Sequence, residues 1–383
     1  MLAAIAVLAG AAPASADQLV TWNTTSRYVD IAKVKFNGPP PGETQLPPGL
    51  RVNVRLPDGY DGKRRFPVLY LLHGHGDTFA HMANAQRGNV REVAKASNAI
   101  IVMPEGATGW YTNWWNGGKR SEPAWEDHYL QELMPFVERR LAIRRGRRWH
   151  AIAGISMGGG GAAYLATQRP GYFGSIATFS GATSTQRPEW PQGMGSQGEA
   201  YEDVFGDPKA FYATGHNPTA LTDNLASSRV FVSVGDGVAA NPDELRNAFG
   251  AVAEADLARH AEDFTAAAQR SKAVQVTSQS HQGIHDWPYW RVDLADALRW
   301  NFFKAVPERP SQWTYTTTLR RGQAWDLRFS FAEPPTTLVT FKRDGRRLTA
   351  TGSGTVAIRT ADGSLLRAAL PFDRVLPRPR RRR

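Results

Sequence analysis

The stretch that decides the reading is His150-Ala151-Ile152-Ala153-Gly154-Ile155-Ser156-Met157-Gly158-Gly159-Gly160-Gly161. Its first four residues are a short apolar run, as expected of a buried strand. Gly154-Ile155-Ser156-Met157-Gly158 then forms a Gly-x-Ser-x-Gly pattern. Such a pattern suits a sharp strand-to-helix turn: the serine sits in a strained conformation with its hydroxyl exposed, and small neighbours let the chain bend. In a chain with 36 glycines the pattern alone says little, and the context gives it weight. Four consecutive glycines, 158–161, are poor helix formers. They make sense where a helix must pack closely on a sheet beside a nucleophile, which makes Ser156 the candidate nucleophile.

The flanking sequence repeats strand and helix. Residues 51–57 alternate apolar and polar, as in an antiparallel strand. Residues 67–72, 99–103, 150–153, 175–179 and 230–234 are continuous apolar runs, the pattern of parallel strands buried on both faces. The run at 273–276 is less apolar and reads as an edge strand. Helices are expected over 125–140, 158–168, 243–269 (one helix or two) and 287–304. This alternation predicts an α/β fold with a mostly parallel central sheet covered on both faces. Residues 181–225 show no period and many Pro and Gly, as in a lid or substrate-shaping insertion.

A serine nucleophile needs a base. His285 lies between the last strand and the last helix, in Gly283-Ile284-His285-Asp286-Trp287-Pro288-Tyr289-Trp290, and the order serine, acid, histidine fits this topology. His281, close behind the strand, has less loop with which to reach Ser156. An oxyanion needs preorganised N–H donors. The expected pair is the backbone N–H of Met157 and that of His75, in the loop Leu72-His73-Gly74-His75-Gly76. Reading His73 and His75 as metal ligands instead finds only Asp77 nearby to join them, so no metal and no cofactor is expected. The residues alone leave two acids. Asp236 follows the run 230–234, where a strand end would present it at the site, and Glu254 lies further on in a helical stretch. Trp110, Trp114 and Trp115 read either as core or as flat apolar walls for an acyl or sugar group, and Trp114, Trp115 and Trp287 are the substrate-binding candidates.

From Leu71 to Trp290 the chain resembles the cell-envelope mycolyltransferases of the antigen 85 family, within the wider esterase D-like group. The matching pieces are Leu71-Leu72-His73-Gly74, Trp110-Tyr111-Thr112-Asn113-Trp114-Trp115, Trp125-Glu126, the serine turn, and His285-Asp286-Trp287-Pro288-Tyr289-Trp290. The last is close to the family's His-x-Trp-x-Tyr-Trp and is the most specific. The resemblance implies an α/β-hydrolase fold and acyl chemistry on ester substrates. It also implies a glutamate acid, which falls on Glu254 by its spacing to the preceding strand and to Asp263-Phe264. Three departures bear on mycolate specificity. Ser156-Met157-Gly158-Gly159 stands where the family has Ser-Met-Ala-Gly, His73 replaces an acidic residue, and the sequence continues beyond the usual enzyme.

That continuation begins after Pro307-Glu308-Arg309-Pro310. Short alternating runs with hairpin turns at Asp344-Gly345 and Asp362-Gly363 predict a small antiparallel β domain over 311–374, followed by a basic tail, 375–383. At the other end, residues 1–10 are apolar but too short to span a bilayer, and Ala14-Ser15-Ala16 has the form of a cleavage site. Residues 1–16 are therefore read as a signal peptide, 17–306 as the catalytic domain, and the product as secreted or envelope-associated. No positively charged segment precedes the apolar run, so a start further upstream is expected.

The chain has no cysteine, which excludes disulfides and a cysteine nucleophile. Its net charge is +11, to which the basic tail contributes. Charge of this sign suits an anionic surface, but no interleaved basic and aromatic motif points to nucleic acid. The expectation is a secreted serine esterase or acyltransferase on ester or glycolipid substrates, with the β domain contacting envelope glycan or an anionic surface. The rival is a non-catalytic envelope-binding protein on a degenerate form of the same fold.

Overall fold

A computed structural model describes residues 17–271 and 275–377. The expected signal peptide, residues 378–383 of the tail and the start of the last expected strand (273–274) lie outside them.

Eight strands form the central sheet: β1 (Gln18–Thr24), β2 (Leu50–Leu56), β3 (Val68–Leu72), β4 (Ile100–Pro104), β5 (His150–Ile155), β6 (Ser175–Phe179), β7 (Arg229–Gly235) and β8 (Gln275–His281). Their order is β1-β2-β4-β3-β5-β6-β7-β8. β1 and β2 are antiparallel to their neighbours and the rest run parallel. The alternating run at 51–57 is thus an antiparallel strand near one edge, and the apolar runs are the central parallel strands. β1 was not anticipated, because residues 18–24 carry no continuous apolar run. β8 is the opposite edge, in keeping with its polar sequence.

Period-two side chains divide the core in two. Val68, Tyr70 and Leu72 of β3 face one layer with Leu165, Leu257 and Phe264. Leu69 and Leu71 face the other, with Trp287, Trp290 and Leu294. The first layer comes from helices α1 (Met157–Gln168) and α2 (Ala248–Arg270), the second from α3 (Trp287–Trp300). The stretch 243–269 is one long helix preceded by a 3₁₀ turn at Glu244–Arg246. The insertion after β6 is built from short helices, Trp190–Ser196, Tyr201–Phe205 and Phe211–Gly215, with a 3₁₀ segment Pro218–Leu225.

After residue 311 come two four-stranded antiparallel sheets around a separate core that includes Tyr315, Phe329 and Phe341. One sheet is β9 (Gln312–Thr317), β12 (Val339–Asp344), β13 (Arg347–Thr351) and β16 (Phe372–Val375). The other is β10 (Arg321–Ala324), β11 (Leu327–Phe331), β14 (Thr355–Arg359) and β15 (Leu365–Ala369). Asp344-Gly345 and Asp362-Gly363 fall in the β12–β13 and β14–β15 turns. This sandwich is fastened to the α/β body. Asn224 donates to Thr316 O and accepts from Thr316 N, both at 2.7 Å. Thr317 Oγ1 donates to Gln168 Oε1 at 3.0 Å.

Candidate active site

The parallel strands deliver their C-terminal ends to one edge of the sheet, and the candidate residues gather there. Ser156 sits between β5 and α1 with φ 52° and ψ −120°, a region non-glycine residues rarely occupy. The turn is held because its neighbours cannot grow. A Cβ at Gly154 would lie 2.2 Å from Gly158 O, and one at Gly158 would lie 2.4 Å from the carbonyl oxygens of Leu72 and His73. Glycine at 158, where the resemblance has alanine after Ser-Met, lets α1 press directly onto the end of β3.

His285 Nε2 is 2.9 Å from Ser156 Oγ. On the other side of the ring, His285 Nδ1 is 2.7 Å from Glu254 Oε2. Glu254 is buried, yet its second oxygen accepts from Ser180 Oγ and from the Gly235 N–H, each at 2.6 Å. Burial pushes the Glu254 carboxyl up. The His285 hydrogen bond and charge, Ser180 and the Gly235 N–H outweigh it and hold the group below its ordinary value. An ionised carboxylate only accepts, so Nδ1 carries the imidazole proton and Nε2 is free to accept from the serine hydroxyl.

Asp236, the other candidate acid, is not at the imidazole. Its Oδ1 accepts from Val238 N (2.8 Å) and Gly283 N (3.1 Å), closing the turn after β7 and tying it to the His285 loop. It lies too early: β7 ends at Gly235, and the carboxylate is spent on backbone donors before the chain reaches the histidine. His281 bonds Asp293 Oδ1 at 3.1 Å and stacks on Tyr289, which turns it away from Ser156.

The loop after β3 lies over the serine, since a Cβ at Gly74 would lie 3.3 Å from the Ser156 Cβ. Met157 is the first residue of α1, so its N–H has no partner four residues back in the helix. The next residue of the β3 loop, His75, turns its side chain to Glu199 (2.8 Å). His73 stands where the resemblance has an acid. Its Nε2 lies 2.9 Å from Gly106 N and 3.3 Å from Glu105 Oε1, and its Nδ1 is 2.8 Å from Gly74 O. Burial pushes the imidazole down, but Glu105 outweighs it and holds the ring above its ordinary value, and the ring orients the Gly74 backbone. Among the described residues no group of three or more His, Asp or Glu is arranged as a metal site.

The tryptophans fall differently from expectation. Trp287 is 5% exposed and belongs to the core under α3, stacked on His81 and edge-on to Trp290. Trp114 is tied by its indole N–H to Gly109 O. Trp115 packs on Tyr212 under the Arg120 guanidinium. Both are half-buried. Trp110 is also buried, 5.8 Å from the His75 ring, and borders a void of about 10 Å³ with Met157, Tyr164, Phe205, His216 and Pro218. Sequence reasoning also missed the support behind the acid. Trp290 Nε1 donates to Ser180 Oγ at 3.0 Å, and its ring stands edge-on to His285 at 4.7 Å. The motif His285–Trp290 therefore encodes an imidazole together with part of the platform behind its acid. Ser180, one residue past β6, carries no local signal.

Comparison with known proteins gives the family and the fold. The Esterase family model, described as "Putative esterase", matches residues 44–301. Esterase Rv1288 of Mycobacterium tuberculosis is 30% identical over 247 residues, covering 60% of this chain and 51% of that protein. The diacylglycerol acyltransferase/mycolyltransferase Ag85C of Mycobacterium avium is 26% identical over 216 residues, covering 52% and 59%. The chain therefore spans about half the length of the first of these relatives. Among solved structures, Mycobacterium tuberculosis MPT51 (FbpC1) superposes with a TM-score of 0.55 at 20% identity, covering 68% of this chain and 94% of that one. At that identity the likeness speaks for the α/β-hydrolase fold.

Proposed function

The chain belongs to the Esterase family, and on that premise we propose that it is a serine ester hydrolase or acyltransferase working through Ser156, His285 and Glu254. The observation that carries this reading is the unbroken hydrogen-bond line from Ser156 Oγ through both nitrogens of His285 to Glu254. His285 Nε2 takes the hydroxyl proton as Ser156 Oγ attacks the ester carbonyl carbon. Glu254 stabilises the imidazolium that forms and keeps the ring in its reactive orientation. The developing oxyanion rests on the N–H groups of Met157 and His75. His285 then returns the proton to the leaving alcohol, an acyl-Ser156 ester remains, and water or a second alcohol reverses the sequence.

Trp110 and Phe205 nearly fill the space beside Met157, which leaves no room there for a long acyl chain and favours a compact one. Acyl transfer of the kind in the Mycobacterium avium relative's name, diacylglycerol acyltransferase/mycolyltransferase, carried to a glycolipid acceptor, is the long-chain branch of this proposal. We also propose that residues 1–16 direct export, that the catalytic part is 17–306, and that the sandwich over 311–374 works at a cell surface. An intact serine, base and buried acid favour catalysis over a purely binding role, since adhesion makes no use of a strained serine held 2.9 Å from an imidazole.

The test is hydrolysis of p-nitrophenyl esters from acetate to palmitate by the full chain and by Ser156→Ala and His285→Ala. Turnover with the shorter esters that both substitutions abolish is the expected result. Wild type as inert as Ser156→Ala across the series, with no transfer to added alcohols, overturns the reading.

A further inference from the structure

A cleft rich in arginine lies away from the serine. It measures about 890 Å³ and separates the α/β body from the β sandwich. His150, the first residue of β5, lines it, whereas Ser156 follows the last residue of that strand. At about 3.3 Å per residue, the two lie roughly 20 Å apart on opposite edges of the sheet.

Arg309, Arg328, Arg343 and Arg359 line this cleft, with Glu308 and Asp326 as its acids. The acids are engaged: Glu308 accepts the backbone N–H groups of Arg147 and Arg148, and Asp326 pairs with Arg343 at 2.6 Å. Arg328 of β11 and Arg359 of β14 are direct cross-strand partners, both exposed on the cleft side. Like charges directly opposite one another on a sheet are destabilising. Arg359 Nη1 donates to Gly363 O at 3.3 Å, at the end of its own hairpin. Arg328 also adds to the positive field around the neighbouring Arg169. Two arginines at this register put a doubled positive charge on one face of the sandwich, which an anion bound in the cleft would offset.

The chemistry narrows the ligand. Guanidinium forks bind carboxylate or phosphate in bidentate fashion. A tetrahedral phosphate directs oxygens toward two opposed forks at once, whereas the two oxygens of a carboxylate lie in one plane. Past Arg343 the surface continues into a second depression lined by Arg270, Lys342 and Arg347, the last paired with Asp373, and by Asp223 and Asp344. Bases would find no stacking platform. Trp325 is 6% exposed with its ring covered by Arg147, and Tyr172 packs on Phe173.

We propose that this cleft, centred on the Arg328–Arg359 pair, binds phosphate groups of an extended, base-free polyanion. The binding is independent of ester chemistry at Ser156.

Isothermal titration of the full chain at low salt tests it, with tripolyphosphate and poly(glycerol phosphate) as probes and oligothymidylate as the base-bearing comparison. Wild type should bind a base-free probe, more weakly as salt rises. Arg328→Thr and Arg359→Thr should each weaken binding about tenfold and the double variant about a hundredfold. Preference for tripolyphosphate identifies an inorganic chain, and preference for poly(glycerol phosphate) a phosphodiester polymer. In phosphate-free buffer the single variants should melt no lower than wild type, because a repulsion has been removed, and p-nitrophenyl ester turnover should be unchanged. No binding by wild type, equal binding by the folded double variant, or tighter binding of oligothymidylate overturns the proposal.

Discussion

Glu254 Oε2 and His285 Nδ1 stand 2.7 Å apart, although 31 residues and a strand separate them in the chain. The pairing predicts an asymmetry between the two candidate acids. Glu254→Gln should lower kcat by about 10³–10⁴-fold with little change in KM, as expected when the imidazole loses its orienting charge. Asp236→Asn should leave kcat within about threefold, because Asp236 only accepts from backbone N–H groups. Steady-state kinetics on a short p-nitrophenyl ester distinguishes them, and equal losses would remove Glu254 from the proposed triad.

Ser180 links Trp290 to Glu254. Ser180→Ala removes a donor that helps keep the carboxylate ionised. We expect kcat to fall about tenfold with KM retained, and the acidic limb of the pH–rate profile to move to higher pH. A fall in activity without movement of that limb would reduce Ser180 to a packing role.

Trp110 walls the cavity beside Met157. Trp110→Ala should enlarge it and shift the preferred acyl chain upward, raising kcat/KM for octanoate relative to acetate by about tenfold. An unchanged chain-length profile would place the acyl group elsewhere.

His281 is pushed up to about 9, chiefly by its hydrogen bond to Asp293, against burial, which lowers it. Its folded value lies above its unfolded value of 6.5, so the stabilisation is fully present below about pH 6.5 and is lost as pH rises through about 9. After discounting for solvent screening it amounts to about 1–2 kcal/mol. Thermal melts of wild type should drop across pH 6.5–9 by more than those of His281→Gln, and parallel curves would contradict this.

Asn224 meets Thr316 through two reciprocal hydrogen bonds that join the sandwich to the body. Asn224→Ala leaves the buried Thr316 amide and carbonyl without that partner. Denaturant unfolding should show a loss of about 1–3 kcal/mol. A separate early transition for the sandwich would show that this contact couples the two units.

The sequence by itself determined the parallel sheet, the serine turn, the candidate histidine and a small antiparallel β domain with its two hairpin turns; that this domain is two packed sheets came from the structure. Each of these is a local pattern: an apolar run, a spacing of glycines around Ser156, an Asp-Gly between alternating residues. Even the preference for Glu254 over Asp236 came from resemblance to a family, since both stand after the same strand. What the tertiary structure decided were relationships between segments far apart in the chain. Asp236 turns to Gly283 while Glu254 reaches back from a helix to His285 and Ser180. Trp287 and Trp110 both go into the core, on opposite faces of the sheet, Trp110 beside the His75 loop. Arg328 and Arg359, which no motif joins, meet because β11 pairs with β14. Side-chain roles of this kind depend on which strands and helices pack together, and local spacing carries no record of that choice.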